Sequence, residues 1–381
     1  TCCAGSYAVA AGLRSTNQTN PGLMKDVDSL SPRISRIGIT VVDPNDDNKP
    51  ASHNWSFEIA QRLRQDTLFT LAYVGNAARN LLNEGGLRDI NRIPFGAMLA
   101  NPDGNVDNFR PFRNYSAINI IRHNFYSNYH SLQSRIQKQM GSLNLQANYT
   151  FSKVLGIRSG GDGATANNLS REENYGVLAY DRTHIFNVAY VFDLPRWQGG
   201  NAVARQLING WQISGITTFS TGVELAANST RNFRLIGFLP DGRTRISNQA
   251  ITGSPDINAQ PFLTCDPRKN LASGQYINGS CFTLPRPGVN GNNIFPYLRS
   301  PTLFSNDVSI FKNFQISESK RFQFRASAYN FINHPLPTFS ANDRALNLEF
   351  DAAGNMTNSG FGFTNQKTGR RVMQLAVKFY F

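Results

Sequence analysis

The residues best suited to chemistry form the run Asp181-Arg182-Thr183-His184. Aspartate and histidine act as general acids and bases in many enzymes. No serine or cysteine nucleophile can be tied to this run, which lies where a long polar segment enters an alternating one. We therefore interpret it as a structural rim element and predict no catalytic residues and no enzymatic activity. We interpret His334, which precedes Pro335, in the same way, as a residue at the entrance of a loop.

Other loop motifs resemble ligand sites, but their spacing is wrong. The run 101–107 is similar to the opening of a calcium loop, yet its twelfth position is Phe112 and Gly104 is misplaced. The run 160–163 lacks the Lys-Ser/Thr that follows a phosphate-binding loop. The acidic turn 43–47 could hold a hard cation, although a solvated turn is the favoured interpretation. We predict no metal site and no cofactor.

The chain has four cysteines, of which Cys2 and Cys3 are adjacent and Cys265 and Cys281 share a polar segment rich in Pro and Gly. The second pair could close a disulfide loop in an oxidising compartment, or the two could be unrelated thiols. The pattern has no CxxC and no nearby pair of histidines, which argues against a zinc site.

The composition indicates a mainly β protein. The chain is rich in Asn, Ser, Thr and Gly and contains 27 Phe and 13 Tyr, residue types that favour strands and turns. Its net charge of +13 is spread along the sequence without a dense basic run, which argues against nucleic acid as a partner. The charge could instead attract lipid phosphates or anionic ligands, or could reflect scattered surface arginines. No apolar run reaches the roughly 20 residues of a membrane helix, whereas a membrane β-strand needs only about 9–11.

Apolar and polar residues alternate in many segments, as in half-buried strands. In the segment 321–328, for example, Phe322 and Phe324 share one face, and Arg321 and Gln323 lie on the other. We predict nine strands in total, near 53–63, 65–75, 127–139, 141–153, 182–193, 209–221, 305–315, 319–333 and 370–381.

The predicted connections alternate between short and long. The long ones are 76–126, 154–181, 222–304 and 334–369, with 1–52 as a further one. Outer-membrane barrels sort their connections in this way, with short periplasmic turns and long extracellular loops. The predicted fold class is therefore all-β, namely the C-terminal part (about nine antiparallel strands) of a large transmembrane β-barrel with long extracellular loops. Within 1–381, we expect 1–52 to be an extracellular loop and 53–381 to supply barrel strands and loops. Because an open sheet cannot stand in lipid, we expect partner strands upstream.

Motifs in four stretches and at the C-terminus carry a family resemblance. They are 41–45 with 55–59 and 72–76, 148–153 with 181–186, 209–215 with 219–222, 307–314 with 324–326 and 331–335, and finally 375–381. In order and spacing they resemble TonB-dependent outer-membrane receptors, specifically the Oar-like group with a carboxypeptidase-regulatory-like N-terminal domain. The resemblance covers most of the chain outside the long loops. It implies a 22-stranded barrel with an upstream plug, and neither a plug nor a TonB box lies in these residues.

The predicted function follows from this resemblance. We expect an outer-membrane receptor or transporter that takes up or exports a ligand in a TonB-dependent manner. A passive porin-like or adhesive barrel, or a soluble secreted all-β binding module, is the alternative. The expected partners are outer-membrane lipid and lipopolysaccharide, the barrel-assembly machinery, and the TonB complex through the plug.

Three groups of residues are assigned roles. The long loop offers ligand contacts, unless it is an unselective exposed loop: Arg231, Phe233, Arg234, Arg243, Tyr276 and Tyr297. The C-terminus offers an assembly signal, whose last residue could also be simply lipid-facing: Phe379, Tyr380 and Phe381. Interfacial aromatic girdles are expected from seven residues: Tyr73, Tyr149, Tyr190, Trp211, Phe219, Phe311 and Tyr329.

Overall fold

The computed structural model describes residues 38–83, 85–113, 115–157, 170–225, 234–238, 245–291, 298–317, 320–339, 344–351, 353–364 and 366–381. The strands in these residues are β1 (Ile39–Val42), β2 (Ala51–Arg64), β3 (Thr67–Leu82), β4 (Ile118–Ile121), β5 (His123–Met140), β6 (Leu143–Ile157), β7 (Tyr175–Val177), β8 (His184–Asp193), β9 (Trp211–Ser220), β10 (Arg234–Phe238), β11 (Arg245–Ile246), β12 (Phe262–Leu263), β13 (Phe282–Thr283), β14 (Leu303–Gln315), β15 (Arg321–Tyr329), β16 (Leu336–Thr338), β17 (Asn347–Phe350), β18 (Gln366–Thr368) and β19 (Val372–Tyr380).

Helical structure is short. The α-helices of the described residues are α1 (Ala202–Ile208) and α2 (Asn248–Thr252). Single 3₁₀ turns occur at Gly85–Arg88, Val106–Phe109, Glu172–Asn174, Gly279–Cys281 and Arg344–Leu346. No helix in this part of the chain is long and apolar enough to cross a membrane.

One antiparallel sheet, here called the wall, contains the nine predicted strands. Its order is β2-β3-β5-β6-β8-β9-β14-β15-β19, so every strand pairs with its neighbour along the chain, and β7 adds to β6. The predicted strands are thus confirmed, and so is the all-β fold class. The hairpin of β3 and β5 extends beyond the predicted ends and contains register shifts around Ala78 and Leu81. The long connections all leave the same end of the wall, and the short ones leave the other.

The wall has an apolar face and a polar face, because side chains alternate along each strand. Register places Phe322 opposite Phe379 and Phe324 opposite Val377 on the apolar face. Leu375 is 69% exposed on that face. Exposed apolar side chains continue across the apolar face to β2: Trp55, Phe57, Ile59, Tyr73, Leu132, Ile136, Tyr149, Phe151, Phe186, Ile310, Met373 and Phe379.

The polar face is concave. A cavity of about 840 Å³ is lined by residues from eight strands of the wall, from Arg62 on β2 to Arg325 on β15. Gln137, Gln146 and Asp307 also line it. A single cavity can touch so many strands of one sheet only if the sheet curls around it, as in a barrel wall.

Five of the seven residues predicted to form aromatic girdles lie on the apolar face, and two do not; the interfacial level of the five stays a prediction. Tyr73, Tyr149, Tyr190, Trp211 and Phe219 lie on the apolar face, as their register shows.

The two exceptions, Phe311 and Tyr329, lie on the polar face. Phe311 is paired with Arg325, whose guanidinium lies 4.7 Å from the ring centroid. Tyr329 donates a hydrogen bond to Gln374 Oε1 at 3.3 Å. The error on β14 arises because Lys312 occupies an apolar-face position, which makes its neighbour Phe311 look like the apolar-face residue.

Aromatic rings on the apolar face cover two glycines. The Trp55 side chain lies over Gly75, and the Tyr190 side chain lies over Gly215 on the adjacent strand. In each pair the ring occupies the space that a Cβ atom would need, so glycine permits the close cross-strand packing.

Candidate capture cap

The long connections form a folded unit at one end of the wall, here called the cap. It consists of the described residues of 38–50, 83–122, 221–302 and 330–371. Small sheets hold these segments together: β1 runs parallel to β4, and β10 lies between β11 and β17. The pairs β12–β13 and β16–β18 complete them. Two of these pairings, β1 with β4 and β10 with β17, join different segments, so the cap is not a set of independent loops.

A hydrophobic core lies inside the cap. Its buried members come from the two longest C-terminal connections: Leu225, Ile277, Phe282, Leu298, Leu346, Leu348, Phe350 and Phe361. The Phe282 and Phe361 rings meet edge to face at 5.9 Å. Burying a side chain of this size contributes about 1.5–3 kcal/mol relative to exposure. The core therefore binds together segments that lie on either side of β14 and β15.

A disulfide joins Cys265 to Cys281 beside this core. The pairing left open by the sequence is thus made in the structure. The backbone N–H of Thr264 also donates to the Cys281 carbonyl at 2.8 Å, next to the β12–β13 pair. The crosslink closes a separation of 16 residues, which suits an oxidising compartment.

Asp256 attaches the connection 83–122 to the connection 221–302. Its Oδ2 accepts hydrogen bonds from the backbone N–H of Ile93 at 3.0 Å and from Arg110 Nη1 at 3.1 Å. Arg92 Nη1 donates to the Asp256 carbonyl at 3.1 Å. Burial lowers the pKa of Arg92. Ser254 Oγ reinforces the contact by donating to the Ile93 carbonyl at 2.7 Å.

Asp181 anchors the cap to the wall. Its side chain is fully buried, and Oδ2 accepts from Arg299 Nη2 at 2.5 Å. Lys153 Nζ lies 3.7 Å from the same oxygen, and the Val154 N–H donates to Oδ1 at 2.7 Å. The neighbouring His184 points to the apolar face, where its Nδ1 lies 2.8 Å from Tyr149 Oη. The geometry agrees with a structural role for this run, because the carboxylate is enclosed by cations and N–H donors.

The acidic turn 43–47 also makes structural contacts. Asp43 Oδ2 pairs with Arg122 Nε at 2.6 Å, and Asp46 Oδ2 accepts from the His123 N–H at 2.5 Å. A backbone hydrogen bond from Asn45, together with Arg122, lowers the pKa of Asp43. The backbone hydrogen bond from His123 is the main cause that lowers the pKa of Asp46. These carboxylates hold β1 against the β4–β5 corner.

Two of the six residues predicted to contact a ligand lie in the described part of the chain. Tyr276 is half-buried against the cap core and meets Phe339 edge to face at 6.2 Å. Arg234 begins β10, opposite Asn347 of β17. Four lie outside the described residues: Arg231, Phe233, Arg243 and Tyr297. Ligand contact by these residues stays a prediction.

The C-terminal aromatics divide between the two faces. Phe379 packs on Phe322 with centroids 4.8 Å apart and stacks on Phe381 at 5.9 Å, on the apolar face. Tyr380 faces the other way, where the Arg321 guanidinium lies 4.5 Å from its ring centroid. Their predicted role as an assembly signal stays a prediction.

Sequence reasoning missed the residues that organise the cap. Asp256, Arg110 and Arg299 lie in segments without periodicity, and their partners are more than 100 residues away in two of the contacts. No local signal in a single sequence marks such pairs.

Comparison with known proteins gives one family match. The family described as Outer membrane beta barrel domain matches residues 5–374. No curated protein matches the sequence.

Among solved structures, the outer membrane transporter YddB from Escherichia coli shares 10% identity over 91% of this chain and 34% of its own, with a TM-score of 0.43. The FrpB iron transporter from Neisseria meningitidis shares 12% identity over 90% of this chain and 33% of its own, with a TM-score of 0.40. The ferripyoverdine receptor of Pseudomonas aeruginosa shares 10% identity over 86% of this chain and 27% of its own, with a TM-score of 0.37. The chain thus spans about a third or less of the length of these structures.

Proposed function

Because the chain belongs to the outer membrane beta barrel domain family and lies in the bacterial outer membrane, we propose that it forms the wall and capture cap of an outer-membrane receptor. In this proposal the apolar face of the wall contacts lipid, and the polar face lines the lumen. The cap lies on the extracellular side, since outer-membrane barrels carry their long loops there. The receptor binds a ligand at the cap and moves it in a TonB-dependent manner.

The observation that carries the proposal is the construction of the cap. The hydrophobic core joins 221–302 to 330–371, and Asp256 joins 83–122 to 221–302. The disulfide stiffens the connection 221–302, so these segments present one preformed surface. A preformed surface loses less conformational entropy on binding than separate loops do. Ordered structure in the long connections favours specific capture of a ligand over passive diffusion.

The ligand contacts proposed on this surface combine aromatic rings with guanidinium groups. Arg231, Arg234 and Arg243 suit anionic groups, because guanidinium forms paired hydrogen bonds with carboxylates and phosphates. Phe233, Tyr276 and Tyr297 would supply flat apolar contacts, although the Tyr276 ring also packs on the cap core. The net charge of +13 would increase the encounter rate with an anionic ligand.

TonB dependence is supported by the motif resemblance, which implies an upstream plug. The concave polar face, with its cavity of about 840 Å³, is a surface on which a folded, hydrated plug could rest. The TonB complex, the barrel-assembly machinery and lipopolysaccharide are the partners that this proposal requires. Membership of the Oar-like group is part of the same proposal.

Uptake by cells that make the protein tests the proposal. A panel of labelled ferric catecholate and hydroxamate siderophores, cobalamin and an anionic oligosaccharide would be offered to cells with and without TonB. We expect one panel member to accumulate only when both the protein and TonB are present. Asp256→Ala should reduce that accumulation, because it removes the carboxylate that binds Ile93 and Arg110 and so weakens the contact between two cap connections. The matched control is Asp103→Ala, an exposed aspartate of the same cap.

The alternatives give different results. Accumulation that persists without TonB indicates a passive porin-like barrel. Attachment of cells to a surface without uptake of any solute indicates an adhesive barrel. Equal accumulation by Asp256→Ala and wild-type cells would contradict the role of the joined cap.

A further inference from the structure

The connection between β8 and β9 carries the exposed helix α1 at the short-connection end of the wall. Its N-cap, Asn201, accepts a hydrogen bond from the Ala204 N–H at 2.8 Å. Val203 and Leu207, one turn apart, are 68% and 58% exposed. A helix of this length is not stable in water by itself, so its conformation depends on what it contacts.

Two residues of the apolar face hold the C-terminal end of α1. Trp211 Nε1 donates to the Leu207 carbonyl at 3.1 Å. Lys312 Nζ donates to the Gln206 carbonyl at 2.6 Å and also to the Asn209 carbonyl. Register pairs Trp211 with Lys312, and Lys312 with Phe324, in one row of the apolar face. The helix is therefore fixed to the apolar side of the wall.

This arrangement explains a lysine at an apolar-face position. The side chain of Lys312 is almost completely buried, at 1% exposure. Its ammonium lies 5.5 Å from the Trp211 ring centroid and 5.0 Å from that of Phe314, besides its carbonyl acceptors. A cation is favoured at the C-terminal end of a helix, where unpaired carbonyls carry partial negative charge.

An apolar groove begins where α1 is attached. It has a volume of about 470 Å³ and extends over four neighbouring strands: it is lined by Trp211, Lys312, Phe314, Phe322, Phe324 and Val377. The groove is continuous with the lipid-facing wall. Its position near the short connections places it at the level of the periplasmic leaflet.

We propose that α1 is an interfacial helix of the periplasmic leaflet and that the groove holds an acyl chain of a phospholipid of that leaflet. Val203, Leu207 and Ile208 enter the boundary between headgroups and acyl chains, and Arg205 faces the aqueous side. Gln206 adds to the attachment, because its Nε2 donates to the Gln315 carbonyl at 2.7 Å. Interfacial helices bind in this way, with one apolar face in the membrane and one polar face in water. Trp197 and Trp211 take the interfacial level that tryptophan prefers. Lys312 is a positioning residue that keeps α1 against the wall.

Tryptophan fluorescence tests the position of the helix. The chain has three tryptophans, so Trp55→Phe leaves Trp197 and Trp211 as reporters beside α1. This variant would be purified from outer membranes and reconstituted in vesicles of phosphatidylethanolamine and phosphatidylglycerol. The acyl chains of these lipids would carry bromine atoms either close to the headgroup or at the end of the chain. We expect quenching by the shallow bromines and little quenching by the deep ones or by aqueous acrylamide.

A matched pair of charge variants completes this test. Val203→Asp in the Trp55→Phe background should lose bromolipid quenching and gain quenching by acrylamide, because the charge expels α1 from the membrane. Val289→Asp, at an exposed apolar residue of the cap, should change neither. Heat-modifiable mobility in electrophoresis shows that the wall of each variant is folded. Strong acrylamide quenching without bromolipid quenching in the Trp55→Phe parent overturns the proposal.

Electron spin resonance with a chain-labelled phosphatidylethanolamine tests the groove. Wild-type protein should produce a motionally restricted component from the bound chain. Val377→Phe fills the groove without adding charge and should lose part of that component. The control Val289→Phe should retain it. An unchanged spectrum for a folded Val377→Phe protein contradicts occupation of the groove by an acyl chain.

Discussion

Replacing Arg299 by methionine tests the attachment of the cap to the wall. Arg299 pairs with the fully buried Asp181 at 2.5 Å, and its Nη1 donates to the Gly222 carbonyl at 3.1 Å. Methionine keeps the length of the side chain but leaves the carboxylate with Lys153, at 3.7 Å, as its nearest cation. Removing one partner of a buried ion pair costs about 3–5 kcal/mol, because the remaining charge is left uncompensated.

The assay is urea unfolding of the purified, reconstituted protein, followed by tryptophan fluorescence. A fall in the midpoint at unchanged slope reports the loss of stability. The double variant Asp181→Asn/Arg299→Met should lose less than the sum of the two single variants, because it removes both charges of the pair.

The control is Arg268→Met. Arg268 pairs with Asp266 at 2.9 Å, but its side chain is 56% exposed. Exposed pairs contribute only about 0–1 kcal/mol, so this midpoint should scarcely move. If Arg299→Met and Arg268→Met shift the midpoint equally, the assignment of Asp181 as the buried anchor is wrong.

Three further predictions concern the wall, the cap crosslink and acid. Gly75→Ala should lower the free energy of unfolding of the wall by about 1–3 kcal/mol, because the Trp55 ring occupies the space of the new methyl group. Heat-modifiable mobility at graded temperatures measures this loss of stability. An unchanged transition temperature would contradict the packing. Replacing Cys265 and Cys281 by serine should cost the cap about 3 kcal/mol and leave the wall folded, as hydrogen exchange of cap and wall peptides would show. The pKa of Asp43 is lowered from 3.8 mainly by the backbone hydrogen bond from Asn45 and further by Arg122, so these contacts stabilise the cap above pH 3.8 and are lost as the pH falls through the lowered pKa. Protease cleavage near residue 43 should therefore increase only below that pH, and an Asp43→Asn variant should abolish the change.

Much of the wall could be predicted from the sequence, because alternation with a period of two is a local property of a strand between water and an apolar medium. The nine strands, their antiparallel order and the sorting of short and long connections all follow from that pattern and from neighbouring strands pairing. The face of a single residue was predictable only where the alternation was unbroken. On β14 the apolar-face Lys312 interrupted it, and Phe311 was assigned to the wrong side. Only the helix α1, packed across the end of the wall, shows why a lysine occupies that position.

The cap was decided by tertiary structure. Its core combines residues from both sides of β14 and β15, and Asp256 and Asp181 find their partners in other connections. A buried charge is recognisable only when its partner is known, and a sequence contains no record of which distant segments meet. Local periodicity therefore determined the wall, whereas long-range pairing of polar groups determined the cap and the surface it presents to a ligand.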